Sequence, residues 1–129
     1  MTSDELVDIA RAAAEASYSP YSHFRVGAVV VGEEGEMFTG ANVENAAYPA
    51  SSCAEATAIS TAVSQGVRKI STVAVACIDA KDVDGAYPCG RCRQIMSEFG
   101  VEKVIVGAGD GSAVREHTLD HLLPHQFDL

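Results

Sequence analysis

Basic residues are scarce in this chain: 9 Lys and Arg stand against 18 Asp and Glu, a formal charge of −9 over 129 residues. That balance argues against a binder of phosphate backbones, because contacts to nucleic acid need a lysine and arginine surface. A neutral small molecule is the more natural ligand. No apolar run approaches the roughly 20 residues needed to cross a bilayer, so no membrane partner is expected. The acidic start, Met1-Thr2-Ser3-Asp4-Glu5, lacks the charged-then-apolar pattern of a signal peptide. Cysteine is also sparse. There are four, and three of them fall in two short clusters, which suits a reducing compartment better than a disulfide framework. A cytoplasmic location is expected. Repeats, linkers and low-complexity stretches are missing, so residues 1–129 read as one domain, long enough to bury a core without disulfide staples.

The two cysteine clusters are Cys53-Ala54-Glu55 and Pro88-Cys89-Gly90-Arg91-Cys92. Three thiolates from Cys53, Cys89 and Cys92 match the donor set of a tetrahedral zinc ion with its fourth position left open. Taken alone, a C-x-x-C is as well explained by a structural zinc knuckle or a redox pair. Structural zinc sites close the sphere with four protein ligands, however, and no fourth cysteine or histidine stands at a suitable spacing. His23, His117, His121 and His125 show no ligand spacing with one another and read as surface or locally hydrogen-bonded residues. Cys77, inside Val73-Ala74-Val75-Ala76-Cys77, reads as a small buried hydrophobe. One catalytic Zn²⁺ per chain is the expectation, with Glu55 beside it as the group that moves protons.

Periodicity places these clusters on elements. Leu6, Ile9, Ala10, Ala13 and Ala14 recur at helical spacing between Asp4 and Ser17, with Ser3 as the expected N-cap. Tyr18 to Ser22, with Pro20 inside, breaks that helix. Phe24–Val31 reads as a strand, and Gly32 to Gly35 as the turn of a hairpin into Met37–Ala41. Asn42 to Ser52 is a polar loop. A helix starts from Cys53 and is ended by Gly66. Thr72–Ile78, an uninterrupted β-branched and apolar run, reads as a central strand covered on both faces. A helix from near Cys89 to before Gly100, strands at Lys103–Val106 and Val114–Thr118, and a helical turn at Leu119–Leu123 complete the order. This order predicts a mixed sheet between helices.

Both cysteine clusters therefore lie where a loop feeds a helix. The helix N-terminus carries partial positive charge, which lowers thiolate pKa values and offsets negative charge. Cys89 and Cys92, three apart, share one helix face. Glu55, in the first turn of its helix, can take a proton from a zinc-activated water and hand it on to a bound substrate.

At this level the chain resembles the small, homotetrameric, zinc-dependent cytidine deaminases, whose motifs run nearly end to end. Tyr18 to Ala28 resembles the segment leading into the family's first strand. Gly40-Ala41-Asn42-Val43-Glu44-Asn45-Ala46-Ala47-Tyr48 resembles its nucleoside-binding loop, the two cysteine clusters with Arg93-Gln94 resemble its metal motifs, and Leu122-Leu123-Pro124 followed by Phe127 resembles its C-terminus. C-x-E followed by P-C-x-x-C is the all-cysteine form of the zinc-deaminase signature, in which the glutamate is not a ligand.

The resemblance implies a three-layer α/β/α sandwich with a mixed five-stranded sheet, and hydrolysis of cytidine and 2′-deoxycytidine. It also implies roles by position. Phe24 would stack on the pyrimidine, Asn42 and Glu44 would hold the ribose, and the Ala54 backbone with the Glu55 carboxylate would read the base's amide edge. Ala46, Tyr48 and Phe127 would serve a site in an adjacent subunit of a homotetramer. On residue type alone, Phe24 reads more readily as core than as site, and Asn42 and Glu44 could be turn residues. A cytosine-bearing antibiotic such as blasticidin S is the alternative substrate, and a zinc-stabilised binding module without turnover the alternative class. The chain departs from the family at Ala56, where an arginine is common. Arg93 is the expected replacement cation, with Arg91 as the second choice.

Overall fold

The computed structural model describes residues 1–109 and 113–129 of the chain. Helix α1 spans Ser3–Ala14, strands β1 and β2 Val26–Gly32 and Met37–Ala41, helix α2 Ala54–Ser64 and strand β3 Ile70–Cys77. Helix α3 spans Gly90–Glu98, strands β4 and β5 Lys103–Gly107 and Arg115–Thr118, and α4 is a single turn, Leu119–Leu122. The five strands form one sheet in the order β2-β1-β3-β4-β5. The pair β3–β4 is parallel, as its helical crossover through α3 requires, and the other neighbours are antiparallel. The sheet is mixed and lies between helices, as the element order predicts.

Alternation along the strands sorts the core into two layers. Val29, Ala74, Ala76 and Ile105 pack with Leu6, Val7 and Ala10 of α1 on one face. Ala28, Val30, Val73, Val75, Val104 and Val106 pack with Ala54, Ala58, Ile59, Cys92 and Met96 of α2 and α3 on the other. Strand β3 has both faces covered from Val73 on, which is why that stretch carries no polar alternation. Helix α1 lies so close to β1 that a Cβ at Gly27 would land on the carbonyl oxygen of Ala10. Glycine there is a packing requirement.

Strand β3 starts two residues earlier than expected, at Ile70, and several other ends shift by one residue. Three further differences have a visible local cause. The N-cap of α1 is Thr2, not Ser3: Glu5 N–H donates to Thr2 Oγ1 (3.1 Å) and Thr2 N–H to Glu5 Oε1 (3.0 Å). Glu5 stands three residues after Thr2, so only Thr2 can close this reciprocal box. The helix ends at Ala14 and not near Ser17, because Tyr18 is drawn into a bridge with Val43, with Tyr18 N–H on Asn42 O (3.0 Å) and Glu44 N–H on Tyr18 O (2.8 Å). Strand β1 begins at Val26, two residues late. The Phe24 carbonyl is taken by Asn42 Nδ2 (2.8 Å) and the Arg25 N–H by Asp79 Oδ2 (2.8 Å), which removes both from the ladder.

Candidate metal centre and its cavity

Cys53 is the residue before α2 and Cys89 the residue before α3; both have extended backbone and neither side chain caps its helix. Their sulfurs are free to face each other, 3.9 Å apart. Cys92, one turn into α3 and fully buried, brings the third. The three Sγ atoms lie within 4.8 Å of one another, the only such group of three His, Cys, Asp or Glu side chains among the described residues. Zinc–sulfur bonds of about 2.3 Å at tetrahedral angles put sulfurs roughly 3.8 Å apart, so the cluster fits a zinc ion.

Electrostatics point the same way. Cys53 is held down to about 6, chiefly by the Cys92 thiol donating to it, against partial burial, with help from the Cys89 thiol and the Arg91 guanidinium. Cys92 is pushed strongly up, first by that same hydrogen bond and then by burial. Unaided, the cluster favours a Cys53 thiolate that accepts a hydrogen bond from the Cys92 thiol. Holding three thiolates at this spacing calls for a cation among them.

Glu55, in the first turn of α2, is 4% exposed and the one buried charged residue among those described. Burial pushes its carboxyl up to about 7, its own backbone N–H opposes this, and the Cys53 thiolate raises it further. A carboxyl of that kind can exchange a proton in either direction near neutral pH.

The cluster lies at one end of a cavity of about 270 Å³, at the end of the sheet where β3 stops and α2 and α3 begin. Phe24, Asn42, Glu44, Cys53, Ala54, Glu55 and Cys89 all line it, so the structure brings together most of the residues singled out in the sequence. Phe24 is wall and not core. Asn42 and Glu44 are partly committed already. Asn42 Oδ1 accepts from Val26 N–H (2.9 Å) and from Ser17 Oγ, and Glu44 Oε1 accepts from the N–H groups of Tyr21 (3.0 Å) and Ser22 (3.1 Å). These bonds with the Ser22 hydroxyl, its largest influence, keep Glu44 below the ordinary carboxylate range. A carboxylate has further lone pairs to offer a ligand.

Ala46, Tyr48 and Phe127 do not line this cavity. Tyr48 is 75% and Phe127 68% exposed. Two donors of Arg93 go elsewhere, Nε to Pro88 O (2.9 Å) and Nη1 to Leu122 O (2.8 Å), so it fastens the start of α3 to α4. The guanidinium acting on Cys53 is that of Arg91.

Sequence reasoning passed over Tyr87 and left Cys77 as mere core. Cys77 is buried, as expected, and lines the cavity with Val26 and Val75. Tyr87 lines it too, one residue before the Pro88-Cys89 cluster, and that adjacency was the only available signal.

The comparisons with known proteins meet this geometry. A family profile described as the cytidine and deoxycytidylate deaminase zinc-binding region matches residues 1–108. The chain belongs to that deaminase family. A cytidine deaminase of Sporosarcina psychrophila is 40% identical over 98% of this chain and 92% of its own. The crystal structure of a cytidine deaminase from Burkholderia pseudomallei superposes with a TM-score of 0.88 at 40% identity, covering 98% of this chain and 100% of that one. One from Mycobacterium tuberculosis gives 0.81 at 34% identity over 100% and 99%. The five-stranded sheet and flanking helices are thus those of the deaminase family's cytidine deaminases.

Proposed function

We propose that this protein hydrolyses cytidine and 2′-deoxycytidine to uridine and 2′-deoxyuridine, adding water at C4 of the base and releasing ammonia. The observation that carries this reading is a buried carboxyl of raised pKa next to three convergent thiols in one small cavity. Cys53, Cys89 and Cys92 would hold one zinc ion, which when bound supplies Lewis acidity and a water of lowered pKa. Glu55 would accept a proton from the attacking water as the C4–O bond forms and pass it to the ring nitrogen N3. It would then take the remaining proton from the new C4 hydroxyl and give it to the exocyclic amine, so that C4=O forms, the C4–N bond breaks and ammonia leaves. Phe24 stacks on the pyrimidine face, the Ala54 backbone and Glu55 read its amide edge, and Asn42 with Glu44 hold the ribose.

The lining supports a free nucleoside. Among the described residues it contains no Lys, Arg or His, while Glu44 and Glu55 line it together with Cys53. A 5′-phosphate would meet repulsion and no partner. No helix among the described residues is long and apolar enough to cross a membrane. Four free cysteines support a cytoplasmic setting, and residues 1–129 would act as one catalytic domain. The exposure of Tyr48, Phe127 and Leu129 supports a homotetramer in which Ala46, Tyr48 and Phe127 complete a neighbour's cavity.

An absorbance assay of cytidine, 2′-deoxycytidine, CMP and blasticidin S side by side, at known zinc content, tests the reading. The two nucleosides should turn over and CMP should not. Blasticidin S as the preferred substrate would replace the proposal. Light scattering on the same sample should report four chains per particle.

A further inference from the structure

Phe24 stands at the cavity wall on an unusual mount. It is 37% exposed, and the residue before it, His23, has φ +59°, in the left-handed region that side chains other than glycine rarely adopt. Hydrogen bonds tie down the backbone that carries the ring. Phe24 N–H reaches Ser22 Oγ (3.1 Å) and Phe24 O accepts from Asn42 Nδ2 (2.8 Å). The next residue supplies the long-range anchor. Arg25 N–H and Nε both donate to Asp79 Oδ2 (2.8 and 3.0 Å), Nη2 donates to Asp79 Oδ1 (2.9 Å), and Arg25 O accepts from Ile78 N–H (3.1 Å).

An isolated pair at this exposure, 43% for Arg25 and 26% for Asp79, would contribute little. This one is bidentate and also grips a backbone N–H, which makes it directional. It joins the segment carrying Phe24 to the turn that follows β3, where the loop toward Cys89 sets out. Asp79 itself does not line the cavity.

We propose that Asp79 is a positioning residue for substrate affinity: by clasping Arg25 it holds the Phe24 ring where the pyrimidine stacks. This rests on the proposed stacking role of Phe24. A stacking contact is made alike in the bound substrate and in the transition state, so its loss raises KM and spares kcat.

The test is steady-state kinetics on cytidine with the zinc-loaded wild type, Phe24→Ala, Asp79→Ala and the double variant. Phe24→Ala should raise KM about 5- to 150-fold, the range for loss of one base–aromatic stack. Asp79→Ala should raise KM about 3- to 10-fold, the scale of one ordinary hydrogen bond, with kcat within about twofold. In the Phe24→Ala background, the Asp79 change should add nothing, because the ring it positions is gone. Asp79→Asn, which keeps the side chain's shape, should move KM the same way by less and serves if Asp79→Ala fails to fold. Full additivity in the double variant, or an unchanged KM for the folded Asp79 variant while Phe24→Ala raises it, would overturn the clasp and leave the Phe24 reading standing. A Phe24→Ala enzyme with normal KM, or a wild type without turnover, would overturn both.

Discussion

Cys53 and Cys89, 36 residues apart in the chain, occupy the same position in two helices, and their sulfurs meet at 3.9 Å. Two helix N-termini thus converge on one point, each with free N–H groups and partial positive charge. Sheet topology produces the convergence: α2 and α3 pack on the same face and both begin at the end of the sheet where β3 stops.

If those sulfurs and that of Cys92 form the zinc site, each single alanine substitution should remove the metal together with the activity. Cys77→Ala should keep the full zinc content, since Cys77 is not part of the cluster. Metal analysis of the purified variants checks this. About one zinc per chain is expected in the wild type and in Cys77→Ala, and far less in the other three.

The two arginines of α3 separate by readout. Three thiolates around a divalent ion leave one net negative charge, and Arg91 is the guanidinium that lowers Cys53. Arg91→Gln should therefore lose zinc to a competing chelator faster than the wild type, with Ala56→Arg partly restoring retention. Arg93 holds two carbonyls and should act on the fold. Arg93→Gln should lower stability by about 1–3 kcal/mol, read by denaturant unfolding.

Much of this architecture was legible because it is local. The apolar stretch Val73 to Cys77 of β3 announces a central strand, and the two cysteine clusters sit at helix starts that composition alone suggests. The misreadings come from contacts between distant residues. Nothing near Phe24 shows that Asp79, 55 positions later, will take its neighbour's N–H and delay β1. Likewise the end of α1 depends on Tyr18 pairing with Val43. Thr2 is different: its box with Glu5 spans three positions and is readable from the chain alone.

Stability should also depend on pH through His117. Its Nε2 is 2.8 Å from Tyr87 Oη and its Nδ1 3.0 Å from His121 Nδ1. Partial burial, then the charges of His121, Arg115 and Arg93, hold its pKa below the ordinary 6.5. The native state therefore binds fewer protons than the unfolded chain in the window just under 6.5. The contribution of neutral His117 is complete above that value and is lost as pH falls through the lowered one. Melting curves of zinc-loaded protein from pH 7.5 to 5 should show a steeper loss for the wild type than for His117→Gln. Parallel curves would remove His117 as a source of the dependence.

Proton transfer by Glu55 is the step on which the proposed chemistry turns, and Glu55→Gln tests it most directly. The amide keeps the side chain's size in its buried site and cannot exchange the proton. Measured on cytidine, with zinc quantified in the same sample, the variant should retain about one zinc per chain and lose at least about 10²–10⁴-fold in kcat. A zinc-replete Glu55→Gln enzyme turning over at near the wild-type rate would contradict the assignment.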